Sequence, residues 1–279
     1  MSSSTFRVHR PADDVPLTPV VVSVPHAGTD VPLEDQPLLA LAPRALLRDA
    51  DLHVEKVTAG VERHGVTVME ALVSRYVVDI NRAPDDVDRD VCPDVPRPAR
   101  PSARGLCWRS TTDGTAVLRR PLTFSEVADR RRRIHTPYHE RLEALLEERR
   151  GLFGYAILLD MHSMPSQGRP GHTDPGARRA DIVPGDVRGL SCGPGLSRLV
   201  EQHFSGLGFA VRPNDPYMGG YVTRHHGRPS RGVHAIQVEI NRDLYMDETS
   251  YAWLPDRAAR VVDAVDGLVQ AVCHFDPRR

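Results

Sequence analysis

Three apolar runs in this chain each stop on a residue with chemistry. Pro19-Val20-Val21-Val22-Ser23-Val24 leads into Pro25-His26-Ala27-Gly28. Ala156-Ile157-Leu158-Leu159, preceded by Gly154, leads into Asp160-Met161-His162-Ser163. Ala235-Ile236-Gln237-Val238 leads into Glu239. Continuous apolar runs bounded by Gly and Pro read as strands buried on both faces. Open α/β sheets carry their sites at the carboxyl ends of such strands. Tyr76-Val77-Val78, running into Asp79-Ile80-Asn81-Arg82, predicts a fourth strand of this kind, and Val66 to Met69 a further one.

Between the strands the apolar period becomes helical. Asp49 to His64 predicts a helix with Val54, Val57 and Val61 on one face, Asp49 and Asp51 at its start, and Gly65 as its C-cap. Thr123-Phe124-Ser125-Glu126 is a capping box. It opens a helix to about Arg150 that Pro137 should kink. Leu196 to Phe204 and the segment from Pro255 onward predict two more helices, and Phe209-Ala210-Val211 a short strand. Residues 1–17 read as a loose lead-in. Residues 83–122, 165–194 and 213–232 carry no apolar period and read as long active-site loops. The alternation predicts an α/β fold: one domain over 1–279, three αβα layers, and a mixed, mainly parallel sheet.

Composition narrows the function. The formal net charge is -1, so a global nucleic-acid or membrane-surface footprint is absent. The Arg130 to Arg133 run lies on a predicted helix beside Glu126 and Asp129, which favours a solvated face. No apolar run approaches the roughly 20 residues that span a bilayer. The first residues lack the apolar core of a signal peptide, so a cytoplasmic protein is expected. Four scattered cysteines without C-x-x-C spacing argue against a disulfide framework or a cysteine-based zinc site.

The strand ends suggest a metal-dependent hydrolase. A catalytic zinc site takes three protein ligands from His, Asp and Glu. His26 and His162 supply two. The third must be a carboxylate: Asp51 is the first choice, with Asp30 and Asp49 as alternatives. Zinc supplies a nucleophile at neutral pH, and a carboxylate must then move the proton. Glu239, alone at the end of an apolar strand, suits that task. Asp79 suits the outer nitrogen of His26, and Arg82, beside Asn81, a substrate carboxylate. The alternatives are a structural ion pair between Asp79 and Arg75, and a binding protein on an inactive hydrolase scaffold. A serine hydrolase is disfavoured, because Ser163 lacks the Gly-x-Ser-x-Gly elbow.

Taken in order, Ser23-Val24-Pro25-His26-Ala27-Gly28, Asp49-Ala50-Asp51-Leu52-His53-Val54, Ser74 to Arg82, Asp160-Met161-His162-Ser163, Gly219 to His225 and Gln237-Val238-Glu239 resemble the N-formylglutamate amidohydrolase family. The resemblance covers about residues 19 to 250. It implies a phosphorylase/hydrolase-like, zinc-carboxypeptidase-like fold and one catalytic Zn2+. It implies His26 and His162 as ligands and Glu239 as general base, and it favours Asp51 as the third ligand. The zinc-carboxypeptidase pattern would put an acid three residues after the first His, where this chain has Thr29. The implied reaction is hydrolysis of N-formyl-L-glutamate to formate and L-glutamate, or of a closely related N-acyl amino acid to the matching carboxylate and the free amino acid. Arg82, with Arg75 and Arg224, would neutralise the substrate carboxylates, and Tyr221 would wall the pocket. His225 would stabilise an oxyanion, or be a plain loop histidine.

Overall fold

The computed structural model describes residues 4–278. Its elements, in chain order, are β1 (Phe6–His9), β2 (Val20–Val24), α1 (Val54–Val57), β3 (Thr67–Ala71), α2 (Phe124–Arg130), α3 (Thr136–Phe153), β4 (Ala156–Met164), β5 (Ile182–Gly185), α4 (Pro194–Gly206), α5 (Tyr221–His226), β6 (Val233–Asn241) and α6 (Pro255–Cys273). The strands form one sheet in the order β1-β3-β2-β4-β6-β5. β3, β2, β4 and β6 run parallel, while the edge strands β1 and β5 are antiparallel to their neighbours. The result is a three-layer αβα arrangement around a mixed, mainly parallel sheet. Among the described residues no helix is long and apolar enough to cross a membrane.

Side chains alternate across a strand, and here the two faces differ. One face stays apolar along its length: Val20, Val22, Val24, Ile157, Leu159, Met161, Ile236, Val238 and Ile240 pack against α1, α4 and α6. The other starts apolar, with Val21, Ala156, Leu158, Val233 and Ala235 against α2, α3 and α5. It then turns polar: Ser23 follows Val21, Asp160 and His162 follow Leu158, and Gln237 and Glu239 follow Ala235, all buried. Each buried Val, Leu or Ile side chain contributes about 1.5–3 kcal/mol. The first face therefore anchors the sheet, and the second can carry polar groups that cost stability.

Several elements depart from the sequence expectation. Arg75 to Ile80 is a buried turn rather than a strand. Its backbone is paired elsewhere: the Asp79 N–H donates to Leu106 O at 2.8 Å, and Arg130 Nη1 donates to Val77 O at 2.8 Å. Arg130 is therefore not a solvated charge; it is buried in an ion pair with Asp35 at 2.7 Å, while Arg131 and Arg132 are exposed. The helix expected over 49–64 shrinks to α1 and a 3-10 turn at Val61–His64, because His53 and Gly60 are left-handed, at φ 67° and 82°. The long helix from the capping box runs through a π turn at Arg131–His135, immediately before Pro137. Such a turn accommodates a residue that cannot continue the i→i−4 ladder. β1, β5 and α5 lie in stretches expected to be irregular, and Val211 forms a bridge to Ile182 rather than a strand. The 83–122 stretch has no apolar period, yet Val87, Val91, Leu106, Cys107, Trp108 and Val117 from it are buried in the core of the polar-ended face.

Candidate active site

His26 follows β2 through Pro25, and Gly28 lets the turn pass close to β3: a Cβ there would overlap the Leu72 carbonyl. The Asp51 N–H donates to His26 O at 2.9 Å, so the 49–53 segment is laid against the end of β2 by its own backbone. His162 is on β4, in register with Glu239 on β6. His26, Asp51 and His162 each offer one ligand atom, all within 4.8 Å of one another, and all three residues are buried.

The outer nitrogens of both rings are occupied. His26 Nε2 lies 2.7 Å from Asp79 Oδ1, and His162 Nε2 lies 3.3 Å from Asp160 Oδ2. A carboxylate can only accept, so the proton of a neutral His26 sits on Nε2, and Nδ1 presents its lone pair. Among the described residues Nδ1 of His26 is buried with no hydrogen-bond partner, 3.6 Å from Asp51 Oδ2, and His162 Nδ1 lies 3.0 Å from the same oxygen. An unpaired buried acceptor costs free energy, and this one faces a second imidazole and a carboxylate. The donor set is that of a His/Asp/His cation site. Each supporting carboxylate is itself held. Asp79 accepts from Arg75 Nη2 at 2.8 Å, Trp108 Nε1 at 3.0 Å and the Asn81 N–H at 2.9 Å. Asp51 Oδ1 accepts from Arg242 Nη2 at 3.0 Å, and Asp160 accepts from Ser23 at 3.2 Å and Thr223 at 3.0 Å.

Burial opposes charge on both acids. The His162 and His26 hydrogen bonds still hold Asp51 well below the usual carboxylate range, and Arg75 and His26 do the same for Asp79. Burial also opposes the His162 imidazolium, but Asp160 and Asp51 outweigh it and raise its pKa well above the ordinary value. A proton there occupies the electron pair that a cation would take. Glu239 behaves oppositely: burial lifts its carboxyl to about 7, with the Asp51 charge adding and the His162 charge opposing. Gln237 Nε2 donates to Glu239 Oε1 at 2.8 Å, while its own carbonyl accepts from the Gly220 N–H at 2.8 Å.

His26, Asp51, His162, Gln237 and Glu239 line a cavity of about 310 Å³, together with Arg75, Asn81 and Arg82. The cavity thus gathers most of the residues expected from sequence. It does not gather all of them. Arg224 is exposed, its Nε donating to Gly219 O, and Tyr221 and His225 stack on each other at 4.8 Å beside His139, away from the cavity lining. α5 thus turns Tyr221 and His225 toward α3 and leaves Arg224 exposed, so the structure does not bring these three expected residues into the cavity lining. Asp30 also lies outside the lining. Asp49 reaches the cavity but is engaged by Tyr76 Oη at 2.7 Å, Thr112 Oγ1 at 2.5 Å and Arg169 Nη1 at 2.7 Å. Sequence reasoning missed Arg104, His172, Gln237 and Arg242, which also line the cavity. Gln237 and Arg242 flank Glu239 on or just after β6 and were within reach of the strand alternation. Arg104 and His172 sit in loops without a pattern.

Comparison with known proteins agrees with this geometry. A sequence model of the N-formylglutamate amidohydrolase family matches residues 18–246. The N-formylglutamate deformylase of Pseudomonas aeruginosa is 33% identical over 269 residues, covering 94% of this chain and 95% of the relative. That of Pseudomonas putida is 32% identical, with 94% of each chain covered. The crystal structure of N-formylglutamate amidohydrolase from Ralstonia eutropha JMP134 superposes with a TM-score of 0.89 at 32% identity, over 98% of this chain and 99% of that one. An Agrobacterium tumefaciens gene product shares the fold, with a TM-score of 0.69 at 19% identity. The sequence match over most of the chain and the near-complete alignment with these relatives show that this chain belongs to the N-formylglutamate amidohydrolase family.

Proposed function

We propose that this chain hydrolyses N-formyl-L-glutamate to formate and L-glutamate, using one zinc ion held by His26, Asp51 and His162. The observation that carries the metal reading is the buried, unpartnered Nδ1 of His26, facing Asp51 and His162 while Asp79 occupies the opposite nitrogen. The substrate reading rests on relatives that bear the name N-formylglutamate deformylase over almost their whole length. Zinc at such a site supplies Lewis acidity, which polarises an amide carbonyl and acidifies water to a pKa of about 7.

The chain's own residues supply the rest. Asp79 and Asp160 hold the two imidazoles in orientation. Glu239 takes a proton from the attacking water as the new C–O bond forms, and returns it to the amide nitrogen as the C–N bond breaks. A carboxyl lifted by burial to about 7 suits both halves of that transfer. Gln237 fixes one oxygen of Glu239, and Glu239 lines the cavity. The test is formate release from N-formyl-glutamate, N-formyl-aspartate, N-formyl-glutamine and N-formyl-methionine. Turnover favouring the glutamate derivative supports the reading. Turnover favouring another member moves the substrate, and turnover of none contradicts it.

A further inference from the structure

Four arginines line the cavity, and they divide into two pairs. Arg75 is bound to Asp79 at 2.8 Å and Arg242 to Asp51 at 3.0 Å. Both charges are spent on the acids that organise the metal site. Arg82 and Arg104 form no ion pair with a carboxylate among the described residues, and Arg82 Nε is buried without a hydrogen-bond partner. Burial is the main influence drawing the Arg104 pKa below its ordinary value; Asp49 opposes it, and the nearby charge of Arg82 adds to it. Two half-buried cations in one cavity, neither in direct contact with a carboxylate among the described residues, repel each other. A ligand bearing two negative charges relieves that repulsion and satisfies the free guanidinium donors.

Arg104 is held in place. It lies by the Trp108 ring, 5.9 Å from the centroid, and Arg75 lies by the same ring at 4.6 Å. Its Nη2 donates to Gly171 O, and a Cβ at Gly171 would overlap the guanidinium. The next residue, His172, faces the same cavity. Its Nδ1 lies 2.9 Å from the Arg169 N–H and 2.8 Å from Arg179 Nη2. Neither group can accept, so Nδ1 is the acceptor and the ring proton is on Nε2. Burial, with the Arg179 and Arg169 charges, pushes the His172 pKa down to about 4 and keeps the ring neutral. His172 is thus a fixed neutral donor beside Arg104.

We infer that Arg104 and His172 form a subsite for the side-chain carboxylate of an acidic N-acyl amino acid, with Arg82 taking its α-carboxylate. This rests on the hydrolase reading above and deepens it. The expected signature is selectivity. Relative to the wild-type enzyme, R104Q loses about 100-fold in kcat/KM for N-formyl-glutamate, mostly through KM, because a fully paired carboxylate loses its charged partner. Its kcat/KM for N-formyl-glutamine falls by a smaller factor, since a neutral amide oxygen loses a hydrogen bond to Arg104 but no ion pair. R104K, which keeps charge but loses the fork, retains part of the preference. Calorimetry on the wild-type protein gives a reading independent of turnover: glutarate binds more tightly than butyrate, and R104Q or R104K narrows the difference. Equal losses on both substrates, or equal binding of glutarate and butyrate by the wild type, overturn the subsite. Absence of wild-type turnover on any formyl amino acid would instead remove the hydrolase reading, while glutarate binding would still report on the cationic pair.

Discussion

Asp79→Asn is the perturbation that reaches furthest into this account. Asp79 is fully buried and takes hydrogen bonds from His26 Nε2 at 2.7 Å, Arg75 Nη2 at 2.8 Å, the Asn81 N–H at 2.9 Å and Trp108 Nε1 at 3.0 Å. An asparagine has the same shape, but its NH2 would confront at least one of those donors, and the Arg75 guanidinium would lose its charge partner. Removing one member of a buried pair costs about 3–5 kcal/mol. At about 2 °C per kcal/mol for a chain of this size, the melting temperature falls by about 6–10 °C. The His26 ring also loses the acceptor that keeps its proton on Nε2, so metal affinity drops by about 10–100-fold. The control is Asp49→Asn, also buried and also hydrogen-bonded on both oxygens, to Tyr76, Thr112 and Arg169. It should lower the melting temperature but leave metal affinity within about threefold, since the two sites share no ligand. The assays are calorimetric melting and zinc competition with a chromophoric chelator. The pH dependence has a definite sign. The folded Asp79 pKa lies well below its unfolded value, so its stabilisation is complete above about pH 4 and shrinks as pH falls toward the folded pKa. The melting deficit of the variant should therefore narrow in acid. Wild-type zinc affinity in Asp79→Asn, or an equal loss in Asp49→Asn, would refute the reasoning.

Other expectations follow from the same geometry. Glu239→Gln should bind zinc normally yet turn over about 100-fold or more slowly, because it cannot carry the proton. In the wild type, turnover should fall as pH drops through an acidic limb at or below about 7, since burial lifts Glu239 to about 7 and a bound cation draws it lower; a flat profile would remove Glu239 as the base. His225→Ala should keep kcat/KM within about threefold, because the ring stacks on Tyr221 outside the cavity. A loss beyond 100-fold would bring α5 into the chemistry.

The parallel strands and their reactive ends were legible because burying a His or a Glu at the end of an apolar run is costly unless the group is paired or put to use. His26, His162 and Glu239 converge for that reason. Asp49 and Asp51 were harder to separate: they are chemically identical and two residues apart. What distinguishes them arrives from distant segments, with Tyr76, Thr112 and Arg169 engaging Asp49 while His162 and Arg242 face Asp51. The Tyr76-Val77-Val78 run misled because burial and strand formation leave the same apolar signature; the backbone partners that make it a turn come from Leu106 and Arg130. α5 was invisible in a Gly-rich stretch, and its short length hides any period. Arg104 and His172 escaped notice because one arginine or histidine in a polar loop looks like any other until the fold shows which have partners.

The measurement that bears most directly on the central claim is formate release from N-formyl-L-glutamate by one preparation, assayed as purified, after chelation, and after zinc is added back. Bound zinc is counted on each aliquot. The account predicts one zinc per chain, loss of turnover in proportion to zinc removed, and recovery on its return. Full turnover by protein stripped of metal would contradict it.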